Sequence, residues 1–103
     1  MILVKNILSF LKKKGWTLKE VTDTHYLLKP PTRLKFEPDT LFHLVKETYS
    51  GTRYYDENMK VITESIADIY ELDYDALEVL FSKSPTEIKK INKVSAALLS
   101  AAN

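Results

Sequence analysis

Apolar and polar residues alternate along this chain with two periods, first that of a helix and then that of a β-strand. Five apolar residues recur on one helical face: Leu3, Val4, Ile7, Leu8 and Leu11. They predict an N-terminal helix that ends at Gly15, since glycine readily adopts the left-handed conformation of a helix end. From Trp16 the period becomes two, and residues 22–24 (Thr-Asp-Thr) have the composition of a turn. The pattern predicts a β-hairpin that stops at Pro30, because proline cannot donate a backbone hydrogen bond.

A third strand is predicted after the hairpin. Residues 32–40 contain a short alternation at Leu34 and Phe36, which indicates a short irregular strand. Residues 41–47 fit a third strand better, with one of two apolar pairs turned inward. The two candidate pairs are Phe42 with Leu44, and Leu41 with Val45.

Three helices are predicted after the sheet. Asp56 is the expected N-cap of a helix that runs to about Leu72, and Asp73 is expected to cap the next helix. Residues 84–87 (Ser-Pro-Thr-Glu) form a capping box with proline at the first helical position, which predicts the start of a fourth helix. The expected buried residues of the second and third helices are Met59, Ile62, Ile66, Ile69, Tyr70, Leu77, Leu80 and Phe81.

The predicted order α-βββ-ααα is an α+β fold that fits in a single domain. A chain of 103 residues, 45% of them hydrophobic, is long enough to bury one core. We expect residues 1–55 to form the first helix and the antiparallel sheet, and residues 56–103 to form a helical extension packed on them. No apolar run reaches the ~20 residues that span a bilayer, which predicts a soluble protein without a membrane partner.

The absence of cysteine restricts the chemistry of the chain. Disulfides, thiolate zinc sites and cysteine nucleophiles are all excluded. The absence fits a cytoplasmic location, or the host-cell cytoplasm if a phage encodes the protein. The two histidines show no metal-ligand spacing, and two glycines are too few for a phosphate-binding loop. We therefore expect neither a metal nor a cofactor.

Charge is distributed unevenly along the chain although the net charge is only +1. Residues 1–55 carry ten basic and five acidic groups, whereas residues 56–78 carry one basic and eight acidic groups. Six of these carboxylates are expected to form an acidic strip on the second and third helices: Glu64, Asp68, Glu71, Asp73, Asp75 and Glu78. Such a strip can steer the protein into a basic groove on a protein partner, as small inhibitors of nucleic-acid enzymes do. The alternative is a set of ordinary solvated helix faces.

Residues 49–55 (Tyr-Ser-Gly-Thr-Arg-Tyr-Tyr) are predicted to form an aromatic loop. The loop contains four residues of the types that are enriched at protein interfaces: Tyr49, Arg53, Tyr54 and Tyr55. It is therefore a second candidate protein-binding surface. The alternative is that the tyrosines pack the loop onto the core and leave their hydroxyls exposed.

Four lysines form a candidate nucleic-acid-binding surface at the end of the first helix and in the first strand: Lys12, Lys13, Lys14 and Lys19. Lysines in such a group can bind phosphates without sequence preference. The pI of 7.9 lies below the ~9 that marks an obvious nucleic-acid-binding domain. Nucleic acid is therefore a second class of partner to test, after protein.

The order of elements around His25 resembles the HicA family of toxins. A helix that ends in glycine and an aromatic residue precedes a strand, a short turn, His25 at the start of the second strand, a third strand and a helix. HicA toxins have a double-stranded-RNA-binding-like αβββα fold and cleave RNA with a histidine at the start of the second strand. Their histidine follows Gly-Ser, where this chain has Asp23 and Thr24, so the histidine alone carries over. The resemblance covers roughly the first 60 residues and implies a metal-independent ribonuclease with His25 as its catalytic residue.

The second half of the chain resembles a different group. Residues 66–80 (IADIYELDYDALEVL) look similar to small uncharacterised proteins of bacteria and their mobile elements. This resemblance implies a phage or defence-island accessory protein that acts by binding. The sequence therefore predicts a small non-catalytic binding protein, such as an inhibitor with an acidic helical face, and leaves its oligomeric state open. A HicA-like ribonuclease or a nucleic-acid-binding module is the alternative.

Overall fold

A computed structural model describes residues 1–83, which form three helices and three strands. The elements are α1 (Val4–Lys13), β1 (Thr17–Val21), β2 (His25–Lys29), β3 (Phe42–Val45), α2 (Arg53–Tyr70) and α3 (Tyr74–Phe81). Two short 3-10 helices lie before and after β3, at Thr32–Leu34 and Glu47–Tyr49. The prediction of an α+β fold with an N-terminal helix, an antiparallel sheet and then helices is confirmed.

The end of α1 is set by Gly15, as its position in the sequence predicts. Its φ of 89° is a left-handed conformation that glycine adopts without steric cost. The N–H of Gly15 donates to the carbonyl of Lys12 at 3.1 Å, and the N–H of Trp16 donates to the carbonyl of Leu11 at 3.0 Å. This pair of hydrogen bonds is the Schellman motif of a helix C-terminus. It turns the chain directly into β1 and places Trp16 in the core.

The predicted hairpin is present, and its first strand contains a β-bulge. The three strands form an antiparallel sheet in the order β1-β2-β3. Leu18 pairs with Leu28 and Glu20 pairs with Leu27, so Lys19 is an extra residue without a cross-strand partner. The alternation of side chains along the predicted strand gave no sign of this bulge.

Three boundaries differ from their predictions. Residues 32–34 form a 3-10 helix rather than part of an irregular strand, and the third strand covers only Phe42–Val45 instead of residues 41–47. The helix α2 begins at Arg53 rather than after Asp56. The hydroxyl of Thr52 accepts a hydrogen bond from the N–H of Tyr55 at 3.1 Å, so Thr52 is the N-cap.

Two helices follow the sheet within residues 1–83, where the prediction had three. The last of the three predicted helices, which the capping box at residues 84–87 predicts, lies outside the described residues. The caps of the two helices show why they begin where they do. Thr52 caps α2, and the carboxylate of Asp73 accepts from the N–H of Ala76 at 2.9 Å and caps α3 as expected.

The buried side chains of α1, the sheet, α2 and α3 form one cluster. The helical stripes supply most of it, as predicted: Val4, Ile7, Leu11, Met59, Ile62, Ile66, Leu77 and Phe81 are buried. Phe42 and Leu44 lie opposite Leu28 and Tyr26 and so share the face of the sheet that packs on this core. Phe42 and Leu44 are therefore on the core face, but the choice between the two pairs is not clean, because Phe42 is only partly buried and Val45 of the other pair is fully buried in the same core cluster.

The helix α2 is attached to the outer edge of β3 by the side chain of Asn58. The N–H of Val45 donates to Asn58 Oδ1 at 3.0 Å, and Asn58 Nδ2 donates to the carbonyl of His43 at 3.0 Å. These are the hydrogen bonds that a fourth strand would make on that edge. One side-chain amide therefore pairs with two backbone groups of this edge and fixes the position of α2 along β3.

Replacing Asn58 with alanine should lower the free energy of unfolding by about 1–2 kcal/mol, since it removes two hydrogen bonds and leaves an unpaired N–H on Val45. Urea unfolding followed by circular dichroism measures the change. Lys60→Ala is the matched control, because Lys60 is an exposed residue of the same helix. Equal unfolding free energies for the two variants would contradict the role of Asn58.

Candidate functional site

The two histidines lie on neighbouring strands and on the same face of the sheet. His25 begins β2, and His43 in β3 lies opposite Leu27. Alternation along β2 puts His25 and Leu27 on the face away from Tyr26 and Leu28. The ring centroids of His25 and His43 are 6.1 Å apart, with an angle of 71° between the rings. The sheet thus brings together the only two imidazoles of the chain.

The first turn of α2 places Tyr54 against His25. The Tyr54 hydroxyl lies 2.9 Å from His25 Nε2, and the hydroxyl of Thr24 lies 2.7 Å from His25 Nδ1. The ring of Tyr54 is packed edge-on against the imidazole, with centroids 6.0 Å apart, yet the residue remains 54% exposed. We call Thr24, His25, His43 and Tyr54 the His25 cluster.

Hydrogen bonds fix the His25 ring at both of its nitrogens. A neutral imidazole donates from one nitrogen and accepts at the other, and a hydroxyl can serve either role, so both tautomers are satisfied. No hydrogen bond or ion pair within residues 1–83 joins a lysine or arginine to His25. In this arrangement His25 holds Tyr54 in a defined orientation, and Tyr54 remains 54% exposed.

The predicted aromatic loop is divided between the surface and the core. Arg53 and Tyr54 are exposed, and Arg53 Nε donates to the carboxylate of Glu57 at 2.8 Å with 91% of the arginine side chain exposed. Tyr49 is exposed as well. Tyr55 is buried, and its hydroxyl donates to the carbonyl of Ile2 at 2.7 Å. Tyr55 therefore does not belong to a docking surface.

The helical period explains the position of Tyr55. Because α2 starts at Arg53, Tyr55 precedes Met59 and Ile62 at the spacing of the buried stripe. Burial raises the pKa of the Tyr55 hydroxyl, and nearby carboxylates add to the effect. Extending the predicted buried face of α2 by one turn towards the N-terminus would have identified Tyr55 as a buried residue from the sequence.

All six carboxylates of the predicted acidic strip are exposed. Residues from both helices act on the same tyrosine: burial and the nearby carboxylates of Glu78, Glu64 and Asp75 raise the pKa of Tyr74 to about 12. Glu64 on α2 and the α3 carboxylates therefore lie around one point of the surface. Asp73 caps α3, and Glu71 ends α2 in a left-handed conformation with a φ of 54°. Asp68 is exposed on α2.

Sequence reasoning missed two apolar residues beside the acidic strip. Val61 on α2 and Val79 on α3 are both more than half exposed. Val61 lies between Glu57 and Glu64 at helical spacings of four and three, and Val79 follows Glu78. Each valine lies outside the buried face of its helix, and this position in the helical period could have identified it from the sequence as an exposed apolar residue. Single exposed apolar residues are common on protein surfaces, so the two valines by themselves do not mark a binding site.

The candidate nucleic-acid-binding lysines are all exposed. Lys12, Lys13 and Lys14 end α1, and Lys19 is the bulge residue of β1. Lys14 Nζ lies 5.6 Å from the ring centroid of Phe10 and 5.2 Å from that of Tyr70, so its ammonium group contacts two aromatic faces. Arg33, which the sequence prediction left out of this group, donates to the carbonyl of Lys14 and adds a cation to the same end of α1.

No group of three or more histidine, cysteine, aspartate or glutamate side chains within residues 1–83 is placed to hold a metal ion. None of the helices in that range is both long and apolar enough to cross a bilayer.

Comparison of the chain with protein-family models, curated proteins and solved structures finds no match. The resemblance to HicA toxins therefore stays a prediction.

The free energy of unfolding should fall as the pH rises from about 10 towards about 12, because Tyr74 stays protonated in the folded chain while it ionises at its usual pKa of 10 in the unfolded chain.

Glu78→Gln should lower the Tyr74 pKa towards, but not to, its usual value, since burial remains the largest cause of the shift. Ultraviolet titration of phenolate formation measures this pKa, and Tyr74→Phe identifies the Tyr74 component. Glu37→Gln is the control, and a Tyr74 pKa unchanged by Glu78→Gln would contradict the contact.

Proposed function

We propose that the protein is a small non-catalytic binding protein that acts through contacts with another protein. The observation that carries the proposal is the exposed Tyr54 ring held by His25. Tyrosine and arginine are the residue types that most often dominate interface energy, and Arg53 lies next to Tyr54. Together with Tyr49, they form the aromatic part of the proposed docking surface.

The fixed orientation of Tyr54 supports the proposal. The 2.9 Å contact with His25 orients Tyr54, whereas the exposed ion pair with Glu57 restrains Arg53 only weakly. A side chain that is ordered before binding loses less conformational entropy when a partner arrives.

The acidic strip supplies the second part of the proposed surface. Its carboxylates carry the charge that would steer the protein into a basic groove, and Val61 and Val79 would contribute apolar contact. Charge of this sign repels nucleic acid. The proposed partner is therefore a protein with a basic groove, such as an enzyme that acts on nucleic acid, and the proposed role is that of an accessory or inhibitor protein.

Capture of the partner from a lysate of the source organism tests this proposal. We expect the wild-type protein to retain one partner, and Tyr54→Ala or the double variant Glu64→Lys/Glu78→Lys to retain at least tenfold less, since each removes a central contact or reverses the steering charge. Quantitative mass spectrometry of the captured proteins measures retention.

The matched control is Glu37→Lys/Asp39→Lys, which reverses two exposed carboxylates in the segment before β3. This variant has the same net charge as Glu64→Lys/Glu78→Lys and should bind as the wild type does. Equal retention by all the variants would contradict the proposed surface.

A metal-independent ribonuclease is the second candidate function, and the pairing of His25 with His43 favours it. At a centroid distance of 6.1 Å, one imidazole can remove the proton of a ribose hydroxyl while the other protonates the leaving oxygen. Lys29 lies on the same face of β2 by alternation and is exposed, so it can contact a phosphate. Protein hydroxyls contact both His25 nitrogens, so a substrate would have to displace Tyr54 or Thr24 to reach the ring, which makes this the second candidate.

Incubation of the purified protein with RNA in the presence of a chelator tests the second candidate. A ribonuclease would cleave the RNA, and His25→Ala and His43→Ala would each lower the rate by about 100-fold or more. Lys60→Ala is the control with an unchanged rate. Intact RNA at high protein concentration would exclude the ribonuclease and leave the binding proposal in place.

A further inference from the structure

The outer edge of β1 has no partner among residues 1–83. β1 pairs with β2 alone, and no backbone group of Thr17–Val21 forms a hydrogen bond to another element in that range. The opposite edge of the sheet differs, because Asn58 binds two of the outer backbone groups of β3, the N–H of Val45 and the carbonyl of His43. An open edge offers a row of backbone donors and acceptors to an additional strand.

Two exposed apolar side chains extend the core face of the sheet to this edge. Leu18 is 45% exposed and Val21 is 50% exposed. They lie opposite Leu28 and Tyr26, so both project from the face that packs on the core. In a regular strand, residues three apart project from opposite faces. The extra residue at the bulge, Lys19, is what brings Leu18 and Val21 to the same face.

The sequence of β1 is complementary to itself. Residues 17–22 (Thr-Leu-Lys-Glu-Val-Thr) can pair antiparallel with a second copy about a two-fold axis that passes between Lys19 and Glu20. In this register Leu18 meets Val21 of the copy, and Lys19 meets Glu20 of the copy. A two-fold axis perpendicular to the sheet keeps each face on its own side, so the register requires Leu18 and Val21 to share a face. The bulge meets that requirement.

We propose that two copies of the chain pair through β1 to form one continuous antiparallel sheet. The occupant of the edge is a second copy because β1 itself supplies both the apolar and the oppositely charged partners. A lysine on an exposed edge normally opposes strand pairing. Here the charge of Lys19 meets Glu20 of the copy. One pair of short strands buries little area, so the dimer is weak and its population increases with protein concentration.

Sedimentation equilibrium of the full chain over a roughly thousandfold range of concentration tests the proposal. The wild type should show a monomer–dimer equilibrium. Lys19→Glu and Glu20→Lys each place like charges opposite one another at two symmetric positions, and each should raise the dimer Kd about tenfold. The combined variant Lys19→Glu/Glu20→Lys restores opposite charges across the axis and should return the Kd to near the wild-type value.

Lys60→Glu and Glu37→Lys are the controls, because they make the same two charge changes at exposed positions away from β1. Both should dimerise as the wild type does, and circular dichroism checks that every variant is folded. A monomer at all concentrations would overturn the proposal. A dimer that the single variants leave intact, or that the combined variant fails to restore, would overturn it as well.

Discussion

Asn58 joins α2 to the outer edge of β3 by making the hydrogen bonds that another strand would make. Its amide matches the polarity of the edge, since it accepts from the N–H of Val45 and donates to the carbonyl of His43. Tyr54 lies one turn earlier on the same side of the helix. The contact that fixes Asn58 on β3 therefore also carries Tyr54 across to His25 on β2, and the geometry of the His25 cluster depends on it.

The surroundings of His25 favour support over catalysis. Hydroxyl groups lie within hydrogen-bonding distance of both ring nitrogens, and no lysine or arginine within residues 1–83 forms a hydrogen bond or ion pair with the ring. Bound in this way, the imidazole orients a neighbouring tyrosine. The distribution of charge agrees with a binding role, because the lysines that end α1 and the carboxylates of α2 and α3 lie on different elements. A partner that meets the acidic strip would reach Arg53 along the same exposed side of α2, since residues 53, 57, 61, 64 and 68 follow one another at helical spacing.

The sequence predicted elements that depend on local patterns and missed features that depend on contacts between elements. The period of α1, the left-handed Gly15 and the turn before His25 are local, and all three are present. Thr52 and Asp56 are both good N-cap residues, and only the hydrogen bond to Tyr55 decides between them.

Asn58 and Tyr54 show which features of the candidate site could not be predicted from the sequence. From the sequence, the polar residue Asn58 of α2 is expected to be solvent-exposed, although its amide binds the edge of β3. The sequence named His25 and Tyr54 separately, as a possible catalyst and as a loop aromatic, and nothing in it shows that residues 29 positions apart touch. The bulge at Lys19 is equally hidden, because it depends on the register between β1 and β2.

Nuclear Overhauser contacts between the rings of Tyr54 and His25 test most directly whether Asn58 places the tyrosine. We expect these contacts in the wild type and in Lys60→Ala, and we expect them to weaken or vanish in Asn58→Ala while the chain remains folded. Their absence from the wild type, or equal intensity in Asn58→Ala, would contradict the claim that the edge of β3 holds Tyr54 against His25.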